Sequence, residues 1–82
     1  MATVELSASA EAWLQDADAD TQEQVLKRLD RVSDFPEHFL EYYTGTSAYK
    51  LRAGDYRAVV DWDKDEDVLF IRRIGHRDGF YE

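Results

Sequence analysis

The stretch from Tyr49 to Ile74 constrains this chain most, because its side chains alternate with the period of a β-strand and reverse at turn residues. Tyr49 and Leu51 fall on one face, Lys50 and Arg52 on the other. Ala53-Gly54-Asp55 supplies the glycine and aspartate of a hairpin turn. Tyr56, Ala58, Val60 and Trp62 then oppose Arg57, Val59 and Asp61, and Asp63 to Asp67 make a charged turn. Val68 to Ile74 reads as a third strand, apolar enough to be central. Residues 47–82 are therefore expected to form a three-stranded antiparallel meander.

The first part of the chain follows a different period. Val4-Glu5-Leu6 reads as a short strand, Ser7 as a helix N-cap, and residues 8–15 as a short helix with Ala12 and Trp13 turned inward. Asp16-Ala17-Asp18-Ala19-Asp20 reads as a turn. A second helix opens on Asp20, with Glu23 three residues on in the pattern of a capping box. Val25, Leu29 and Val32 recur at helical spacing, supported by Leu26, and Asp34-Phe35-Pro36 ends the run. The two helices are expected to pair as an antiparallel hairpin. Residues 37–48 read as a loop pinned by Phe39, Leu40, Tyr42 and Tyr43, turning at Gly45. The order β-α-α-β-β-β predicts an α+β fold, a strand and a helical hairpin packed on an antiparallel sheet, as one domain over 1–82. Trp13, Val25, Leu29, Trp62 and Phe70 are the expected core.

Composition narrows the function classes. At 44% hydrophobic and 13% aromatic residues, the 82-residue chain has the make-up of a packed globule. It lacks cysteine, which excludes a disulfide framework and a thiolate zinc site. No apolar run approaches the roughly 18 residues of a membrane span, and the N-terminus lacks a signal-peptide layout, so a cytoplasmic protein is expected. The net charge of -8 argues against nucleic-acid binding until its distribution is considered. Residues 1–46 hold ten acids against three bases, whereas residues 47–82 hold eight acids against seven bases. The excess acid, eleven Asp and seven Glu in all, fits a surface adapted to a salt-rich cytoplasm. Asp61, Asp63, Asp65 and Asp67 have the look of a calcium loop. They lack its glycine, Glu66 standing in that place, and its final acid, which is Arg72 here. His38 and His76 form no zinc motif, and no GxSxG or phosphate-binding glycine loop occurs.

What remains is basic. Lys50 and Arg52 share a strand face, Arg57 follows across one turn, and Arg77 and Tyr81 close the chain. If hairpin and tail converge, several donors surround one phosphate, a task suited to the planar guanidinium fork. Spacing alone leaves a second reading open, in which these side chains pair with Asp55, Asp61 and Asp78 on the sheet surface.

The segment Tyr49-Lys50-Leu51-Arg52-Ala53-Gly54-Asp55-Tyr56-Arg57 resembles the Y-x-L-R-x-G-x-Y-R hairpin of the RelE/ParE toxin superfamily. The stretch Val68 to Arg77, with Tyr81 beyond it, is similar to that family's last strand and its G-[HK]-R…Y tail. A strand ending in Leu-Ser before two helices matches as well. The resemblance implies a toxin of a type II toxin–antitoxin module, bound and silenced by a cognate antitoxin. For the RelE branch it implies a ribosome-dependent endoribonuclease that cuts mRNA by attack of the 2′-hydroxyl on the adjacent phosphate, with no metal and no cofactor. Arg57 and Arg77 match arginines that stabilise the scissile phosphate, and Tyr81 a tyrosine that moves a proton or stacks on a base. Lys50 matches a lysine proposed as general base. Arg52, Arg73 and His76 are the implied RNA contacts, His76 standing where some relatives have lysine. The sequence departs at Ala48, where some members carry a second catalytic lysine. Two other readings share the fold: a ParE-like protein that binds gyrase, and a non-catalytic remnant that binds protein.

Overall fold

The computed structural model describes residues 1–81. It contains β1 (Thr3–Leu6), α1 (Ala8–Asp16), α2 (Ala19–Asp34), the one-turn α3 (Pro36–Phe39), β2 (Glu41–Tyr42), β3 (Tyr49–Ala53), β4 (Tyr56–Asp63) and β5 (Val68–His76). The five strands form one sheet in the order β1-β5-β4-β3-β2. The α+β class and the antiparallel meander β3-β4-β5 are as the sequence indicates. The sheet is nevertheless mixed, because β1 lies parallel to β5. From β1 the chain crosses the sheet through its helices, reaches the far edge at β2, and returns strand by strand to β5.

Local chemistry fixes the elements. Ser7 caps α1, its hydroxyl accepting from the Ala10 N–H (3.0 Å) and donating to the Arg72 carbonyl (2.6 Å). Asp18, not Asp20, caps α2 by accepting from the Thr21 N–H (2.7 Å). Asp16, Asp18 and Asp20 offer the same chemistry at alternate positions, so the sequence does not say which one has the extended backbone. Asp20 falls in the first turn, where its charge favours the helix dipole. Residues 37–48 are not all loop. Pro36 ends α2 but starts α3, where its missing N–H costs nothing. Glu41 and Tyr42 then pair with Lys50 and Tyr49. At the β3–β4 turn Gly54 takes φ +63°. A Cβ there would lie 1.8 Å from the Gln24 amide nitrogen, so the hairpin tip rests directly on α2.

One face of the sheet meets the helices. Ala10, Leu14, Val25, Leu29 and Val32 pack there with Leu51, Ala58, Val60, Leu69, Ile71 and Ile74, and the partly buried Trp13 and Trp62 flank them. Phe70 is not in this core. It stands between the fully buried Leu69 and Ile71, so the pleat sends it to the other face, opposite Asp61 and 37% exposed.

A bulge in β5 decides what the outer face carries. Val59 pairs with Arg73 but Val60 pairs with Ile71, which leaves Arg72 as the extra residue. Strict alternation from Leu69 and Ile71 would drive Arg73 into the core. The bulge turns Arg73 outward and lets Ile74 point in.

Candidate active site

Strand register assembles the outer face. Lys50 and Arg73 both lie opposite Val59 from adjacent strands, and Arg57 lies opposite Gly75. The C-terminal segment folds back over this surface, and Gly75 makes the approach possible. A Cβ at Gly75 would sit 2.8 Å from Phe80 Cδ1, inside any tolerable contact. Phe80 is buried with Ala48 and Val59 in a second, smaller cluster, and Tyr43 and Tyr81 pack upon it. Arg73 clamps the segment from above, its guanidinium 4.1 Å from the Phe80 ring centre and donating to the Phe80 carbonyl (2.8 Å). Gly75→Ala should therefore push Phe80 off the sheet and cost about 1–3 kcal/mol, as overpacking does. A melting curve matching the parent's would contradict that packing.

Tyr81 sits at the centre. Its ring meets Tyr43 edge-on at 5.2 Å. Its hydroxyl donates to the Ala58 carbonyl (3.4 Å), while the Tyr43 hydroxyl donates to the Tyr81 carbonyl (3.3 Å). Lys50 Nζ lies 5.2 Å from the Tyr81 ring centre and 5.5 Å from that of Tyr43. Burial pushes the Tyr81 phenol above its ordinary value of 10.0. Arg57 and Arg73 pull it down and Tyr43 and Glu41 push it up, and the net shift is upward. At neutral pH this hydroxyl keeps its proton and can donate it. Arg57 Nη1 donates to the carbonyls of Gly54 (2.7 Å) and Tyr56 (2.8 Å), which fixes the guanidinium over the hairpin tip.

The structure thus brings together Lys50, Arg57, Arg73 and Tyr81. Among the described residues, none of the three cations makes an ion pair. Arg77 lies at the hairpin end instead. Its N–H donates to the Asp55 carbonyl (2.8 Å), and its guanidinium is 3.8 Å from Asp55 and 3.9 Å from Asp78. His76 meets Tyr56 edge-on at 5.9 Å, and its Nδ1 accepts from the Asp78 N–H (3.2 Å). Arg52 lies at the rim of the sheet beside Arg28, His38 and Phe39. The ion-paired alternative therefore describes Arg77 and also Arg72, which pairs with Asp61, but not the central cations. Ala48 lies beneath the cluster, 1% exposed, where its methyl packs with Val59 and Phe80.

Sequence reasoning missed Tyr43 and Glu41. Both fall in the stretch without a clear period, and β2 brings them in: Glu41 pairs with Lys50, and the Tyr43 N–H donates to the Ala48 carbonyl (3.0 Å). Arg73 was implied only as an RNA contact. The signal for its central place was available, because two arginines between Ile71 and Ile74 break the strand alternation. Among the described residues no three His, Asp or Glu side chains converge as metal ligands. No helix among them is long and apolar enough to cross a membrane. What the cluster can do is hold an anion under fixed positive charge beside a protonated phenol.

The family model that describes the ParE toxin of type II toxin–antitoxin systems matches residues 4–79. The chain belongs to the RelE/ParE toxin superfamily. Solved structures agree on the fold. A RelBE toxin–antitoxin complex of Mycobacterium tuberculosis superposes with a TM-score of 0.81 at 20% identity, over 93% of this chain and 98% of that one. The archaeal RelE–RelB complex of Pyrococcus horikoshii gives 0.78 at 23% identity, over 93% and 94%. The intact E. coli RelBE complex gives 0.77 at 23% identity, over 93% and 96%. No curated protein matches the chain.

Proposed function

We propose that this toxin is a ribosome-dependent endoribonuclease. The observation that carries the reading is the set of cations free of ion pairs among the described residues, Lys50, Arg57 and Arg73, gathered around Tyr81, with Lys50 over its ring and the two arginines acting on its protonated hydroxyl. In the proposed reaction the ribose 2′-oxygen forms a bond to the adjacent phosphorus and the bond from phosphorus to the 5′-oxygen breaks. The arginines stabilise the charge that builds on the phosphate oxygens. Tyr81 gives its proton to the leaving 5′-oxygen, and Lys50, the base implied by the family resemblance, takes the 2′-proton. No metal and no cofactor enter these steps. Arg77, released from Asp55 and Asp78, adds to that charge stabilisation, and His76 and Arg52 at the rim contact the RNA beside the cut. The relatives solved as RelB–RelE complexes support a cognate antitoxin as the protein partner.

The matched family model favours a second reading, the ParE-like toxin that binds gyrase. One pair of assays separates the two. Purified protein is mixed with translating ribosomes and end-labelled message, and in parallel with gyrase and relaxed plasmid. Discrete RNA fragments ending in a 2′,3′-cyclic phosphate, with supercoiling unaffected, are expected. Blocked supercoiling without fragments would move the assignment to gyrase. Neither effect, with antitoxin still bound, would leave a silent binding module.

A further inference from the structure

Three tethers hold the segment that carries Tyr81 against the sheet, and they do not act on the same residue. The Phe80 ring lies on Gly75, and Arg73 donates to the Phe80 carbonyl (2.8 Å). Both fix Phe80, one residue short of the phenol. The third comes from Tyr43, whose hydroxyl donates to the Tyr81 carbonyl (3.3 Å) and whose ring meets the Tyr81 ring edge-on at 5.2 Å. Among the described residues no other group bonds the Tyr81 backbone. Tyr43 is itself held on both sides of its peptide. Its N–H donates to the Ala48 carbonyl (3.0 Å), and its carbonyl accepts from the N–H (3.0 Å) and the hydroxyl (2.8 Å) of Thr46. The Thr46 hydroxyl oxygen in turn accepts from the Ala48 N–H (3.1 Å). Gly45, at φ +85°, lets the chain turn this tightly. The stretch from Tyr43 to Ala48 is thus a closed bracket that presents one phenol to the other.

We infer that Tyr43 is a positioning residue of the cleavage reaction, holding the Tyr81 phenol where it reaches the leaving 5′-oxygen. The inference rests on the ribonuclease reading and concerns the acid arm of that reaction. In the free protein the Tyr81 hydroxyl is tied to the Ala58 carbonyl at 3.4 Å, a long and therefore weak hydrogen bond. To protonate the leaving oxygen the hydroxyl must give that bond up, and from then on it no longer anchors the ring. What remains is the Phe80 ring at 4.9 Å, the Lys50 ammonium at 5.2 Å, and the two contacts from Tyr43. Phe80 is the neighbour in the chain and moves with Tyr81. Lys50 sits on a flexible four-carbon stem, which does not set a ring's orientation. Tyr43 reaches both the ring and the carbonyl of Tyr81 from a different part of the fold, and its own backbone is locked. A reacting group displaced by about 1 Å can lose about 100-fold in rate, so this is the contact on which proton delivery depends. The neighbouring Tyr42 has no such part, since its ring meets Tyr49 instead, edge-on at 5.8 Å.

Single-turnover cutting is measured with two messages that differ in one atom, the scissile 5′-oxygen or a sulfur in its place. A thiol is a far stronger acid than an alcohol, so a thiolate leaves without a proton and the sulfur message needs no acid. Tyr43→Leu should cut the oxygen message about 100-fold more slowly than the parent. Tyr43→Phe keeps the ring and loses one hydrogen bond, so it should be about 2–10-fold slower. Both should cut the sulfur message within about threefold of the parent's rate. On the oxygen message Tyr43→Leu/Tyr81→Phe should be no slower than Tyr81→Phe alone, because the two residues act through one proton. Tyr42→Phe should cut both messages as the parent does. Equal losses on the two messages would overturn the inference and make Tyr43 a support of the fold. Parent-like cutting of the oxygen message by Tyr43→Leu or by Tyr81→Phe would overturn it too, as would additive losses in the double variant. Should Tyr43→Leu melt below the assay temperature, Tyr43→Phe decides: a loss confined to the oxygen message upholds the role, and an equal loss on both removes it. A parent that cuts neither message defeats the ribonuclease reading and this role with it, a result distinct from a variant that fails where the parent cuts.

Discussion

Arg57→Ala is expected to slow RNA cleavage on ribosomes by about 10²–10³-fold while the protein melts as the parent does. The guanidinium is held by two carbonyls of the hairpin, Gly54 and Tyr56, so its position is set before substrate arrives. Removing one such preorganised donor from a developing oxyanion typically costs about 2.7–4 kcal/mol of transition-state stabilisation. The fold should tolerate the change, because Arg57 lies on the sheet face away from the helices and makes no ion pair among the described residues. Arg77→Ala should cost at least about 100-fold too if substrate reaches the hairpin end, since that side chain must first leave Asp55 and Asp78. Arg52→Ala should cost less, in keeping with a backbone contact away from the cut. Single-turnover cleavage of labelled message by each variant gives the comparison. An Arg57→Ala protein that cuts at the parent's rate would remove the reaction from this face of the sheet.

Sequence pattern was sufficient wherever a single rule governs the outcome. The hairpin at Gly54 follows from alternation on both sides of a glycine–aspartate turn, and the buried stripe Val25, Leu29 and Val32 from helical spacing. It was insufficient where two rules compete. Alternation cannot accommodate Ile71-Arg72-Arg73-Ile74 without an extra residue, and only the register against Val59 and Val60 shows which arginine is extruded. The same register moved Phe70 out of the core predicted for it. Three aspartates at alternate positions hid the start of α2, because a cap is chosen by backbone conformation as well as by side chain. The candidate site was half legible. Lys50, Arg57 and Tyr81 lie in patterned segments and carry the family resemblance. Tyr43 and Glu41 reach the cluster through a two-residue strand whose pairing is long-range, and no local signal encodes it. Gly75 was visible as part of a motif, but its purpose appears only when the Phe80 ring is seen lying on it.

Ile71→Ala should destabilise the protein by about 2–5 kcal/mol, and Phe70→Ala by less than about 1 kcal/mol, although phenylalanine is the larger side chain. Ile71 is 0% exposed and pairs with Leu6 on one side and Val60 on the other, so its loss leaves a cavity where β1, β4 and β5 meet. Phe70 lies on the outer face and keeps 37% of its surface in water, so truncation removes little buried area. In a domain of this size each kcal/mol moves the melting temperature by about 4–8 °C, so the first variant should melt at least about 8 °C below the parent. The second should stay within a few degrees. The pair also tests the site. A shift of β5 by one residue would exchange the two side chains between faces, and it would turn Arg73 away from Lys50 and Tyr81. If Phe70→Ala proves the more damaging substitution, the bulge at Arg72 is misplaced and the cationic cluster loses one of its members. If Ile71→Ala does, the register that sets Arg73 over Phe80 is the one present in solution, and the effect of Arg57→Ala can be read as chemistry on an intact sheet.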